Sequence, residues 1–261
     1  MLKKLLKYDF KRMTRILVYM YAITVVLAGL TRLVNLGNKI QFVLIIGKIL
    51  EGCTFAGIVN VLVNTFVHIL GAFISNFFKD ESYLTHTLPV SKTQLLFSKL
   101  ISSLLVIIIS VVVCILSLFI IFYSPEFMTG LKGFIEMTVA SFNMSAGGFV
   151  AVLVTLLFIQ TCALIAMAFT SIIKANTYNE KRILYGLIWM FIYYTAISVI
   201  NIVLSVIVCA LSGNLAGLFA EQISLGALLC TIIVISVGYV AETIFFCYYS
   251  NKLFKKGVNV D

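Results

Sequence analysis

Residues 100–123 contain no charged side chain. That one run decides most of what the chain can be. A bilayer core of roughly 30 Å is crossed by about 20 apolar helical residues. Inside hydrocarbon, a helix is the structure that satisfies every backbone N–H and C=O within one segment. Five further stretches have comparable length and character, giving candidate spans at 16–34, 53–78, 100–123, 149–173, 183–211 and 223–249. Composition agrees: 62% of residues are hydrophobic and 11% are charged, whereas soluble domains carry about 25% charged residues. The expected fold is an all-α integral membrane protein with about six transmembrane helices, forming one membrane domain over 1–261. No polar stretch is long enough for a separate soluble domain. The apolar part of the N-terminal region exceeds the roughly 7–15 residues of a signal-peptide core, so it reads as a retained first span.

The net charge of +9 raises nucleic acid as a partner, but the basic residues lie between apolar runs, which favours membrane topology instead. With both ends cytoplasmic, fifteen basic residues fall inside: Lys3, Lys4, Lys7, Lys11, Arg12, Arg15, Lys79, Lys92, Lys99, Lys174, Lys181, Arg182, Lys252, Lys255 and Lys256. Arg32, Lys39, Lys48 and Lys132 fall outside. This bias favours a multi-pass protein with both termini cytoplasmic. Reading 39–78 as two short spans would reverse everything downstream and spoil the bias; one span is preferred, with 39–52 either an outer helix or part of that span. In residues 1–15, Lys3, Lys7 and Lys11 share one helical face, and Leu2, Leu5, Leu6 and Met13 lie near another. That pattern suits an interfacial helix on an anionic lipid surface, or a positive flank for the first span.

Several chemistries lack their motifs. There is no G-x-x-x-x-G-K-[ST] loop and no H-E-x-x-H, and the two histidines, His68 and His86, lie far apart. No catalytic residue and no metal site is expected, so the chain is not read as an enzyme. The six cysteines, at 53, 114, 162, 209, 230 and 247, sit in or beside apolar runs without a C-x-x-C pair and read as packing residues.

The segment 79–99 carries the most information. Ser91 and Gln94 form an S-x-x-Q capping box, Val90 and Leu95 suit a hydrophobic staple, and Pro89 stops a helix arriving from the left. A short element near 82–88, a turn at Pro89 and a new helix leading into the third span are expected. The acidic Glu81, the Thr/Leu-rich Tyr83-Leu84-Thr85-His86-Thr87-Leu88, then Pro89-Val90-Ser91 and a helix ending in Lys99 resemble the permease subunits of type-2 ABC transporters. The resemblance extends along the chain: a basic N-terminal helix, six spans, and a break between spans five and six where Gly213, Asn214 and Gly217 would suit short re-entrant helices. Ser82-Tyr83 departs from the Gly-Thr-like pair of many members, which leaves the register of the segment open.

The resemblance implies a coupling helix between spans two and three that docks on a separate ATP-binding subunit, with Glu81, Tyr83, Leu84, Thr85, Leu88 and Pro89 as coupling residues. It implies two ATPase subunits, a second permease subunit that is identical or homologous, and a bacterial plasma membrane. ATP and Mg would be bound by the ATPase, with no cofactor on this chain. Export of a peptide, drug or other amphipathic substrate is the implied function.

Polar residues inside spans are costly and therefore informative. Asn60, Asn64 and His68 recur every four residues on one face, suiting the lining of a pathway or subunit interface, or interhelical hydrogen bonding. Glu242 is the one acidic residue well inside a span; it can reach the interface, pair with a base or take up a proton. A proton-coupled carrier using Glu242 is thus a second reading, and a non-transporting scaffold a third. Gln160 and Asn201 read as packing polars, and Trp189, Tyr193 and Tyr194 as packing or interface anchors.

Overall fold

The computed structural model describes residues 2–37, 41–78, 90–142, 145–178, 181–218 and 225–255. These form α1 (Leu2–Leu36), α2 (Gln41–Phe78), α3 (Lys92–Phe122), α4 (Pro125–Phe142), α5 (Ala146–Ala175), α6 (Arg182–Leu211), α7 (Leu215–Leu218) and α8 (Leu225–Lys255). No strand occurs among the described residues. Six helices, α1, α2, α3, α5, α6 and α8, are long and apolar enough to cross a membrane. The protein is an all-helical, multi-pass membrane protein.

The contacts group into two compact units, Met1–Lys132 and Gly133–Asp261. In the first, α1, α2 and α3 pack pairwise. α1 presents a stripe of buried residues, Asp9, Met13, Leu17, Tyr21, Thr24, Ala28 and Thr31, at the spacing of one helical face. Its partners along α2 run the opposite way: Arg12 meets Asn76, and Thr31 meets Thr54. α3 runs parallel to α1, since Asp9 meets Ser98 and Tyr21 meets Ser110. Midway along the bundle all three helices meet at one hydroxyl node. Tyr21 lies 2.6 Å from Ser110, and Thr65 lies 2.8 Å from it. Such bonds add only about 0.6 kcal/mol on average between membrane helices, so their main effect is on register.

The second unit is also built on three long helices: α5 packs against α6 and α8, and α6 against α8. The C-terminal half of α5 is buried on nearly all sides, with small residues Ala163, Ala166, Ala168, Thr170 and Ser171 among those enclosed. Small side chains allow close helix approach in a membrane. Thr170 uses that proximity, lying 2.6 Å from Ser250 and donating to the Phe246 carbonyl at 3.2 Å. The α6 end is a Schellman closure. Gly213, at φ 72, lets the amides of Gly213 and Asn214 return to the carbonyls of Ala210 and Cys209.

The structure corrects two sequence expectations and decides one that was open. Residues 2–15 do not form a separate surface helix, because α1 runs unbroken from Leu2 to Leu36. The basic stretch is amphipathic, but its inner face is occupied by Asp9 and Met13, both buried. Likewise, no distinct outer helix precedes span two: α2 is one helix of 38 residues. At about 1.5 Å per residue, α1 and α2 each exceed the bilayer core and extend beyond it. The loop expected over 124–148 is instead mostly the helix α4. Ser124 and Pro125, read only as a stop for span three, also start a helix. The Phe127 amide donates to Ser124 Oγ at 3.0 Å, and proline at the first helical position gives up no needed N–H.

Candidate functional site

Segment 79–89 contains the sequence-derived coupling residues Glu81, Tyr83, Leu84, Thr85, Leu88 and Pro89, all outside the described residues. Both flanks are described. On the near side, α2 ends in a tight aromatic cluster. Phe73 and Phe77 have ring centroids 4.9 Å apart, and Phe78 lies 6.2 Å from each. On the far side, Ser91 caps α3 by accepting from the Gln94 amide at 3.3 Å. Gln94 is exposed and does not return the bond, so one arm of the expected capping box is formed. Leu95 and Leu96 are buried and anchor the first turns of α3.

α1 ties these two flanks together. Arg12 donates from Nη1 to Asn76 Oδ1 and from Nη2 to Ser75 Oγ, the latter at 3.2 Å, in the last turn of α2. One turn earlier, Asp9 accepts from Ser98 Oγ at 2.7 Å and pairs with Lys99 Nζ, in the second turn of α3. Asp9 and Lys99 are 7% and 2% exposed, so this is a buried ion pair. Its value lies less in net stability than in fixing which groups meet, because either partner left alone would be an uncompensated buried charge. Sequence reasoning takes Arg12 only as a positive charge, Lys99 as a positive charge and the end of the family-like motif, and passes over Asp9. A signal was present: Asp9 is the only acidic residue among residues 1–15, which hold six basic ones.

The stripe Asn60, Asn64 and His68 lies beside the packed face of α2 rather than on it. The buried face comprises Thr54, Ile58, Val61, Thr65, Ile69, Phe73 and Asn76, among others. Asn60 is exposed, and Asn64 and His68 are half-buried. Asn64 donates to the Asn60 side chain and to its carbonyl at 2.9 Å. The polar groups therefore partly satisfy one another along their own helix, leaving a polar strip on the surface of the first unit.

In the second unit, Glu242 on α8 is half-buried and accepts from Asn201 Nδ2 on α6 at 2.7 Å. The pair is brought together by Gly238, one turn before Glu242. A Cβ at Gly238 would lie 2.5 Å from Asn201 Oδ1, so any larger residue pushes the amide away. The same device recurs where Asn214 lies over Gly226, with a Cβ clash at 2.6 Å. Asn201, expected as a packing polar, is thus the partner of Glu242, the acid that the sequence reading placed well inside a span. Trp189 and Tyr193 have ring centroids 5.5 Å apart, and Lys174 Nζ sits 3.1 Å from the Trp189 centroid. This cation–π contact ties the end of α5 to the start of α6. Tyr194 is exposed.

Among the described residues, no group of three His, Cys, Asp or Glu side chains gathers as a metal site. No family model, curated protein or solved structure matches this chain.

Proposed function

We propose that the chain is the membrane-spanning permease subunit of an ATP-driven exporter whose ATPase is a separate chain. The observation that carries this reading is the tie between α1 and both helices that bracket residues 79–89. A handle joined to one helix alone would move that helix. A handle whose two roots are both fastened to α1 transmits a push to three membrane helices together. That is the mechanical requirement for coupling an external ATPase to movement in a membrane, and it supports 79–89 as the docking segment.

In this reading Glu81, Tyr83, Leu84, Thr85, Leu88 and Pro89 meet the ATPase. Two ATPase subunits with ATP and Mg serve two permease subunits, identical or homologous. Asn60, Asn64 and His68 line a pathway or the facing subunit. The single-turn helix α7 and the adjoining residues are the re-entrant break. Both termini lie in the cytoplasm of a bacterium, and a peptide, drug or other amphipathic substrate moves outward. The test is purification in mild detergent from the native membrane, followed by mass spectrometry. The expected result is co-purification of a subunit carrying a Walker ATP-binding loop, lost in the Leu84→Asp/Leu88→Asp double variant while the spans stay folded. Recovery of the chain without any ATPase overturns the reading.

A second reading is favoured by the Asn201–Glu242 pair: a proton-coupled carrier in which Glu242 exchanges a proton. Among the described residues the hydrogen-bond partner of Glu242 is a neutral amide, which permits the carboxyl to exist in either protonation state. Transport driven by a pH gradient and abolished in Glu242→Gln supports it. Strictly ATP-dependent transport that is unchanged in that variant excludes it.

A further inference from the structure

We infer that α4 is an interfacial helix that docks on the lipid surface of the membrane, at the face opposite the one where α1 begins. The argument starts from its sequence. Over Pro125–Phe142, Phe127, Met128, Leu131, Phe134, Ile135, Thr138 and Val139 occupy one contiguous side of the helix, at the i, i+3, i+4, i+7 spacing of an apolar stripe. Glu126, Thr129, Gly130, Lys132, Gly133, Glu136 and Ala140 occupy the other, with one apolar exception, Met137. Three charges exclude a span, and α4 is not among the helices apolar enough to cross.

The apolar side is open along one edge: Phe127, Leu131 and Phe134 are exposed, Phe134 by 70%, while Met128, Ile135, Thr138 and Val139 are half-buried. Among the described residues no other helix packs along α4; at its first turn Phe127 stacks on Phe122 at 5.8 Å.

What covers the apolar side follows from the chain's path. α3 is a membrane-crossing helix, and only Tyr123 and Ser124 separate it from α4. α5 is another, and it begins at Ala146, four positions after α4 ends at Phe142. A helix held at both ends by spans, through links this short, stays at the level where those spans leave the hydrocarbon. An amphipathic helix at that level buries its apolar side at the boundary of headgroups and acyl chains. Its charged side carries two carboxylates and one ammonium. It therefore needs no anionic lipid, and the occupant is a zwitterionic lipid surface. After the three crossings of α1, α2 and α3, this surface is the leaflet opposite residue 2 and segment 79–89.

The test uses the full-length protein in phosphatidylcholine vesicles. The chain has one tryptophan, Trp189, so Phe134→Trp is made on a Trp189→Phe background. Quenching is compared for phosphatidylcholine brominated near the top of the acyl chain, phosphatidylcholine brominated near its end, and aqueous iodide. The expected result is strongest quenching by the shallow bromolipid and little by iodide. Lys132→Trp, on the polar side, should show the reverse. Quenching at position 134 by iodide alone, strongest quenching by the deep bromolipid, or protection from all three through cover by protein each overturns the inference. Should the Trp189→Phe background not fold, Phe134→Trp in the unmodified chain is read as the increment over Trp189.

Discussion

At the scale of single residues, the molecule uses a few polar groups to decide which helices meet. The Asp9–Lys99 pair is the clearest case. Asp9→Ala leaves an ammonium buried without its carboxylate, which costs about 3–5 kcal/mol. Asp9→Leu combined with Lys99→Leu removes both charges and should recover most of that loss. Unfolding in mixed detergent micelles measures both; equal stability of the single and double variants would show that the pair is not buried as an ion pair. Gly238 makes a different prediction. Gly238→Val pushes the Asn201 amide from its seat, so it should destabilise the protein through the same interaction that Asn201→Ala removes. The two substitutions together should then cost clearly less than their sum, since they act on one contact. Full additivity in a double-mutant cycle would refute the link. Cys209 stands at the apolar end of this range. It is fully buried, with its thiol 3.8 Å from the Ala227 carbonyl, a packing residue as its apolar surroundings in the sequence imply.

At the scale of elements, the main finding is that amphipathicity does not name the surface it will cover. Residues 2–15 have the pattern of a membrane-surface helix, yet their inner side packs into the first unit through Asp9 and Met13. α4 has a similar pattern, and among the described residues no other helix packs along it. The pattern records that one side avoids water; whether protein or lipid meets that side depends on which neighbours the fold supplies. For α1 this gives a labelling prediction. In a chain whose native cysteines are replaced, a cysteine at Tyr8, which is 73% exposed, should react readily with a polar maleimide. A cysteine at Met13, which is 3% exposed, should react at least about tenfold more slowly, as expected of a side chain enclosed by packing. Equal rates would mean that residues 2–15 lie away from α2 and α3.

At the scale of the whole molecule, topology is the property that most constrains function. α1 and α2 are each one helix long and apolar enough to cross; the proposed function takes each as a single crossing, which puts the N-terminal end and segment 79–89 on the same side of the membrane. An epitope at the N-terminus and a protease site inserted within 79–89 should both be protected, or both be accessible, in intact cells. Opposite behaviour would require an additional crossing and would remove the basis for the coupling proposal. The six membrane helices were legible from sequence because burial in hydrocarbon demands long, uncharged, self-satisfied segments, and that demand is written residue by residue. Their boundaries were less legible at 2–15, 41–52 and 125–142, where the chain is mixed in character and hydropathy alone does not separate helix from loop. The expected coupling residues fall outside the described segments, whereas the pairs at their flanks, Arg12 with Asn76 and Asp9 with Lys99, emerge only in the packed bundle. Residues 64 to 90 positions apart in the chain become partners there. The sequence by itself determined the solvent, the all-helical class and the number of helices long and apolar enough to cross, because each depends on local composition. Only the tertiary structure decided which charge is neutralised by which, what a side chain at Gly238 would displace, and which amphipathic side is already covered, because each depends on distances between helices that no local pattern encodes.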